Sequence, residues 1–178
     1  KLIEDIKKAV SDSENIAIRG QYADIFSRIP DEIEDELLDI LKIVIDAERT
    51  NTDIFNKIRK ILDWLMSSLH EYGLLDSPYS GTELSRCSKF LGKKELSEFV
   101  PVYISRSIHS CTEIANEGSH RLTIDDAVKS GKAPYLVYST VYELLNILSW
   151  FHNLPKDEES KDRLYVIVAN LVLNEKEK

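Results

Sequence analysis

The chain has 178 residues, of which 43% are hydrophobic and 30% are charged, and its formal net charge is −8. These values are typical of one globular domain with its own hydrophobic core, and they exclude a disordered chain. The negative charge argues against broad, non-specific binding to nucleic acid, because such binding needs many phosphates to be neutralised. No apolar run of 18 residues is present, so we expect no membrane span and a cytoplasmic protein.

Helical periodicity is weak at the N-terminus of the chain. We predict a short amphipathic helix over residues 1–10 and an extended piece over residues 15–19, within an N-terminal extension that covers residues 1–28. The two cysteines of the chain, Cys87 and Cys111, lack the spacing of metal ligands. Two free thiols are the prediction for a reducing compartment, and a disulfide between them is the alternative.

The stronger helical signals lie in residues 29–155, which we interpret as the main bundle. A helix is predicted after Pro30, because acidic residues 31 and 32 suit the positive end of a helix dipole. A second helix is predicted over residues 53–72, with Gly73 as its stop, so that the two helices form a hairpin. A loop over residues 74–92 follows, with a short helical piece over 82–90.

A third helix is predicted over residues 94–117. Pro101 either kinks this helix or marks its true beginning, and Gly118 is expected to end it. A capped helix start is predicted at Thr123, and a fourth long helix is predicted to run from Pro134 to about residue 153.

The C-terminal segment, residues 156–178, is expected to lead to a further region of chain. Its apolar stretch 163–174 fits a strand or a fifth helix, and the pattern leaves both open. The predicted fold is therefore all-α, a bundle of four to five main helices, with a short extended C-terminal element as one option. We also expect residues 163–173 to dock a protein partner or a missing domain.

Histidines are the main candidates for chemistry, because phosphate-binding glycine loops, nucleophile elbows and paired-histidine zinc helices are all absent from the sequence. His120 stands out, since it follows Gly118 and Ser119 and a histidine can exchange a proton near neutral pH. Its structural alternative is a hydrogen bond that locks the turn. A metal site built from His109, Cys111 and His120 is disfavoured, because residues two apart point to different helix faces; no metal and no cofactor are predicted.

The order of these elements resembles the HEPN superfamily of helical domains. The resemblance covers about residues 29–153 and rests on four short segments taken in order, namely residues 29–33, 58–65, 116–120 and 123–127. It implies a bundle that often dimerises. Its active members are metal-independent RNases that use an Arg, a polar residue that is often Asn, and a His four to six residues after the Arg. A base or acid and a phosphate-binding cation suit cleavage of RNA through its own 2′-hydroxyl.

Ala115 occupies the position of that Arg if Asn116 and His120 are the Asn and His of the resemblance. Alanine offers neither charge nor hydrogen-bond donor. Arg106 lies nine residues earlier, about 14 Å along a continuous helix, and Arg121 directly follows His120. We therefore predict a non-catalytic HEPN-like interaction or oligomerisation domain that serves a defence or toxin-related system.

The predicted partners are a second copy in a homodimer and an RNA or a nucleotide, with Arg106, His109, Asn116 and His120 as the binding residues. Two alternatives stay open. One is a metal-independent RNase with His120 and Arg121 as catalytic residues, or with Arg106 as the cation. The other is an unrelated helical adaptor or regulatory subunit.

Overall fold

The computed structural model describes residues 2–45, 54–120 and 135–176, and it describes the backbone alone for residues 117–120 and 175–176. Within these ranges the chain forms α-helices and one 3-10 helix (Lys94–Leu96) without any strand, so the predicted all-α class is confirmed. The eight helices are α1 (Leu2–Gln21), α2 (Ala23–Phe26), α3 (Asp31–Ile45), α4 (Ile54–Tyr72), α5 (Leu84–Leu91), α6 (Val102–His120), α7 (Leu136–His152) and α8 (Glu158–Lys176). Six of them have 15 or more residues, so a count of four to five main helices is not confirmed.

Helix α4 lies at the centre of the bundle and packs against α3, α5, α6 and α7. Its apolar residues recur every three or four positions, which places them on one face of the helix. None of these side chains is more than 2% exposed; they are Ile54, Phe55, Ile58, Ile61, Leu62, Leu65, Met66 and Leu69. Because burial of one such side chain contributes about 1.5–3 kcal/mol, this face supplies a large share of the core.

Helices α3 and α4 run antiparallel, as predicted for a helical hairpin. The Lys57 amine donates to the Asp39 carboxylate at 2.8 Å, and the Lys60 amine donates to the Glu36 carboxylate one turn earlier on α3. The hydrogen bond from Lys60 lowers the pKa of the Glu36 carboxyl group. Such surface pairs add little stability, so the register of the two helices depends mainly on their apolar faces.

The predicted helix stop at Gly73 is confirmed. Gly73 has a φ of +98°, which glycine adopts without the steric cost that a Cβ atom would add. The Gly73 N–H donates to the carbonyl of His70 and the Leu74 N–H donates to that of Leu69, both at 2.9 Å. These two bonds satisfy carbonyls that the end of α4 would otherwise leave without partners.

The third predicted helix is divided at Pro101. A 3-10 helix covers Lys94–Leu96, and α6 begins at Val102 directly after the proline. Pro101 therefore marks the beginning of the helix and not a kink within it, because its missing N–H does no harm at a helix start.

The prediction that Gly118 ends this helix is wrong, since α6 continues to His120. Glycine lowers helix propensity by about 1 kcal/mol relative to alanine and does not by itself stop a helix. Packing of α6 against α4, α5 and α7 offsets this cost. The predicted helix start at Thr123 and the Pro134 position lie outside the described residues.

The predicted extended piece over residues 15–19 is wrong, and of the two options left open for residues 163–174 the structure shows the helix. Residues 15–19 belong to α1, a single helix of 20 residues, and residues 163–174 belong to α8. In α8 the buried residues Leu164 and Leu171 lie seven positions apart, which is two helical turns and one face. An apolar segment without clear alternation thus adopts the helix that buries this face. In the described ranges, no helix is long and apolar enough to cross a lipid bilayer.

The prediction of two free cysteines is confirmed, and both Cys87 and Cys111 are buried. The Cys111 thiol lies 3.6 Å from the carbonyl oxygen of Thr140 and 3.7 Å from a carboxylate oxygen of Glu143. Burial, with Glu143 as a smaller cause, raises the pKa of the Cys111 thiol.

Substitution of a residue in the buried face of α4 tests this account of the core. We expect Ile58→Ala to lower the free energy of unfolding by about 2–5 kcal/mol, because it leaves a cavity at a fully buried position. Urea denaturation followed by circular dichroism measures the change. The matched control is Ile45→Ala, at an isoleucine that is 54% exposed, where a change of about 0.5 kcal/mol is expected. Equal losses in the two variants would contradict the assigned core.

Candidate functional site

A cluster of polar side chains lies where the first half of α4 meets α5, α6 and the segment between α4 and α5. Its centre is the guanidinium of Arg59, whose Nη1 donates to Asn116 Oδ1 at 2.7 Å. The Nη2 atom of Arg59 donates to the carbonyl oxygen of Gly81 at 3.1 Å, and Nε lies 4.0 Å from a carboxylate oxygen of Asp63. We call Arg59, Asp63, Tyr79, Ser85 and Asn116 the Arg59 cluster.

Both ends of the Asn116 amide are used within this cluster. Its oxygen accepts from Arg59, and its Nδ2 donates to the hydroxyl of Ser85 at 3.1 Å. The Ser85 hydroxyl in turn lies 3.5 Å from a carboxylate oxygen of Glu113. Asn116 therefore connects α6 to α4 and to α5.

The Tyr79 hydroxyl closes the other side of the cluster by donating to the Asp63 carboxylate. Burial, and then this bond to Asp63, raises the pKa of Tyr79. The phenol thus stays protonated and acts as a donor, while Asp63 stays an acceptor between Tyr79 and Arg59. The cluster as a whole joins α4, the segment after it, α5 and α6 through charged and neutral hydrogen bonds.

Ala115 cannot take part in this cluster, because its side chain is 0% exposed and belongs to the hydrophobic core. An arginine at this position would place its charge within apolar surroundings, at a large desolvation cost. A guanidinium nevertheless lies against Asn116, and it belongs to Arg59 on α4. Sequence reasoning missed this residue because 57 positions separate Arg59 from Asn116, and no local spacing relates them.

Arg106 and His109, two of the other predicted binding residues on α6, do not lie beside Asn116. Arg106 is exposed and lies about 15 Å from Asn116 along the helix axis. His109 is also exposed, with its Nδ1 atom 3.4 Å from the hydroxyl of the buried Ser88. His120 is the last residue of α6, and its side chain and the whole of Arg121 lie outside the described part of the chain.

The described residues contain no group of three or more His, Cys, Asp or Glu side chains that could hold a metal ion. Of the three ligands considered for a metal site, His109 is exposed and Cys111 is buried against α7. These two side chains therefore point away from each other.

Exposed large apolar residues are most numerous on two helices, α1 and α8. On α1 only Ile18 is buried, while Leu2, Ile3, Ile6 and Val10 are 56–74% exposed. On α8, Tyr165, Val166 and Leu173 are exposed. We call the four residues on α1 the α1 stripe, because spacings of three and four place them along one side of the helix.

A groove of about 690 Å³ runs between α8 and the C-terminal end of α4. The predicted docking segment, residues 163–173, contributes much of its wall. The residues that line it include Tyr72, Leu75, Leu164, Tyr165, Val168, Val172 and Leu173. Leu164 and Leu171 of this segment are buried in the bundle, whereas Tyr165 and Leu173 are exposed along the groove.

Comparison of the chain with protein-family models, with curated proteins and with solved structures finds no match. The interpretation of the site therefore depends on its own geometry.

A double-mutant cycle on Arg59 and Asn116 tests whether the Arg59 cluster stabilises the bundle. We expect Arg59→Ala and Asn116→Ala each to lower the free energy of unfolding by about 1–3 kcal/mol, since each leaves a part-buried partner unsatisfied. The double variant should lose less than the sum, with a coupling of about 0.5–3 kcal/mol.

Asn170→Ala, at an exposed asparagine of α8, is the control for this cycle, and its stability should stay within about 0.5 kcal/mol of the wild type. Strict additivity of the Arg59 and Asn116 substitutions would show that the bond between them contributes nothing.

Proposed function

We propose that this chain is a non-catalytic, HEPN-like interaction domain that associates with a second copy of itself through α1. The observation that carries the proposal is the α1 stripe, which leaves Leu2, Ile3, Ile6 and Val10 exposed on a helix with a single buried residue, Ile18. An adjoining set of exposed apolar side chains on a folded protein is typical of an interaction surface.

The length of α1 gives a second reason for a partner. A helix of 20 residues that packs only near its end gains little from tertiary contacts, and such contacts supply most of the stability of helices in proteins. Burial of the α1 stripe against another helix would stabilise it. Each of its side chains would contribute about 1.5–3 kcal/mol if fully buried.

A second copy of α1 is the partner that fits the residues beside the stripe. Helical spacing places Asp5 on one side of the stripe and Lys7 on the other, so both signs of charge flank the apolar residues. In a two-fold symmetric pair of parallel helices the stripe faces itself, and the flank of one helix that carries Asp5 lies beside the flank of the other that carries Lys7. A surface of this kind is complementary to itself.

The Arg59 cluster supports the non-catalytic part of the proposal. The guanidinium of Arg59 already donates to Asn116 and Gly81 and lies beside Asp63, and its side chain is only 22% exposed. A cation that neutralises charge in an RNA-cleaving transition state needs donors directed at the phosphate. The donors of Arg59 are directed at the protein itself.

Disruption of the α1 stripe tests self-association. We expect the wild-type chain to form a dimer in multi-angle light scattering and Val10→Glu to weaken its dimerisation constant at least tenfold, because the new carboxylate would have to be buried. A tenfold change corresponds to about 1.4 kcal/mol.

Val102→Glu is the matched control for this experiment, since Val102 is a similarly exposed valine at the start of α6. It should dimerise as the wild type does. A wild-type chain that stays monomeric at several hundred micromolar would refute the proposed self-association.

A metal-independent RNase is the second candidate function, and one observation favours it. Arg59 places a guanidinium against Asn116, four residues before His120, so its positive charge lies near the last turns of α6 although its donors are used within the Arg59 cluster. In this alternative His120 exchanges the proton, and Arg121 or Arg106 assists at the phosphate.

Incubation of single-stranded RNA with the protein in excess chelator separates the two functions. Under the interaction-domain proposal, RNA stays intact above the background of a mock preparation. Under the RNase alternative, cleavage persists in chelator and His120→Ala reduces it by roughly 100-fold or more. His70→Ala serves as the control histidine, and Arg121→Ala and Arg106→Ala identify the cation. Cleavage that is equal in wild type and His120→Ala excludes the RNase alternative.

A further inference from the structure

A cavity of about 600 Å³ lies at the end of the bundle where α4 and α7 stop and α8 begins. It is remote from the Arg59 cluster, because Tyr72 is the last residue of α4 and lies about 20 Å from Arg59 along the helix axis. Its volume falls within the range of cavities that hold small molecules. The residues that line it are Arg28, Tyr72, Phe151, His152, Leu154, Lys156 and Lys161.

Basic side chains dominate the polar part of this lining. Arg28, Lys156 and Lys161 each carry a positive charge, and none of the described residues that line the cavity is acidic. The whole chain, by contrast, has 31 acidic and 23 basic residues. Three such side chains without an acidic one around this cavity therefore depart from the composition of the chain, and they create a local positive potential.

Two of these three cations form no ion pair with any carboxylate that the structure describes. Among the described residues, the side chains of Arg28 and Lys156 have no hydrogen bond or ion pair. Lys161 pairs with Glu158 at 3.0 Å, but both side chains are exposed, and such a pair is weak. The carboxylate of Asp157 accepts from the Ser160 N–H at 2.8 Å and so caps α8.

His152 lies at this end of the bundle as well. Its Nε2 atom is buried and has no hydrogen-bond partner among the described residues. Because this atom is shielded from solvent, it lies behind the cavity wall and is not one of the donors that face the cavity.

Apolar side chains form the rest of the cavity wall, and the two aromatic ones are held in fixed positions. The hydroxyl of Tyr72 donates to the carbonyl oxygen of Pro155, which fixes its ring. The ring of Phe151 lies edge-on to that of Trp64, with 5.6 Å between centroids. Two fixed aromatic rings and Leu154 form a surface that a flat apolar body can contact without reordering the side chains.

We propose that this cavity binds an aromatic carboxylate. The ring of the ligand would lie against Tyr72 and Phe151. Its carboxylate would accept charge-assisted hydrogen bonds from Arg28 and Lys156. Lys161 completes the positive rim. This inference is independent of the proposed self-association, because the α1 stripe contributes no residue to the cavity.

Isothermal titration of the full chain with 2-naphthoate tests the proposal. We expect saturable binding with a dissociation constant below 1 mM, about −4 kcal/mol or better. The neutral alcohol 2-naphthalenemethanol and the small anion acetate should each bind at least tenfold more weakly, since each supplies only one of the two recognition elements. Octanoate distinguishes the aromatic ring from any apolar body and is also expected to bind more weakly.

The double variant Arg28→Ala/Lys156→Ala should bind 2-naphthoate at least tenfold more weakly than the wild type. Both residues are exposed, so the substitutions leave the core intact, and circular dichroism verifies the fold. Lys89→Ala/Lys94→Ala removes the same two charges at exposed positions outside the cavity and should bind as the wild type does.

Absence of saturable binding up to 5 mM, on the order of −3 kcal/mol, would overturn the proposal. An equal loss in the two double variants would also overturn it, because the attraction would then be a property of overall charge. Equal affinity for the alcohol and the carboxylate would refute the recognition of an anion. Equal affinity for octanoate and 2-naphthoate would refute the aromatic specificity.

Discussion

Burial of one face of α4 is the constraint on which the rest of the bundle depends. Four neighbouring helices pack against this face or beside it, and its side chains have almost no contact with solvent. Once Ile58 and Leu62 are directed into the core, Arg59 and Asp63 are directed towards α6 and the segment after α4. The position of the Arg59 cluster is therefore a consequence of packing that the apolar residues determine.

The Arg59 cluster supplies hydrogen-bond acceptors to a charged side chain that is largely removed from solvent. A guanidinium that is only partly exposed needs acceptors on several sides, and Asn116, the Gly81 carbonyl and Asp63 provide them. Each acceptor comes from α4, from α6 or from the segment between α4 and α5. The Arg59 N–H groups that connect these parts of the chain cannot also donate to a phosphate. Arg59 could therefore bind a phosphate only if it gave up hydrogen bonds that stabilise the bundle.

The sequence predicted those elements whose signals are local. The stripe of α4, its stop at Gly73 and the start of α6 after Pro101 each follow from residue spacing or backbone chemistry within a few positions. The prediction at Gly118 was wrong because the cost of a glycine in a helix, about 1 kcal/mol relative to alanine, is smaller than the free energy gained by packing α6 in the core. The prediction at residues 15–19 was wrong as well, since a short alternating run also fits a helix with one buried residue, Ile18.

The candidate site was only half predictable for a related reason. Asn116 drew attention through its own short segment, but its partner Arg59 lies on another helix, and only the packed bundle brings the two together. The same holds for the bond between Tyr79 and Asp63. Burial of Ala115 also became evident only with the register of α6 against α4, which no local pattern determines.

The burial of Cys87 and Cys111 has a practical consequence for the chemistry of the chain. A thiol reacts with electrophiles and oxidants as its thiolate, and burial raises the pKa of both thiols and keeps reagents away from them. These are the two cysteines of the sequence. A cysteine introduced at a solvent-exposed position would therefore be the one thiol that maleimide reagents modify readily in the folded chain, so spectroscopic probes can be attached there without replacing either native cysteine.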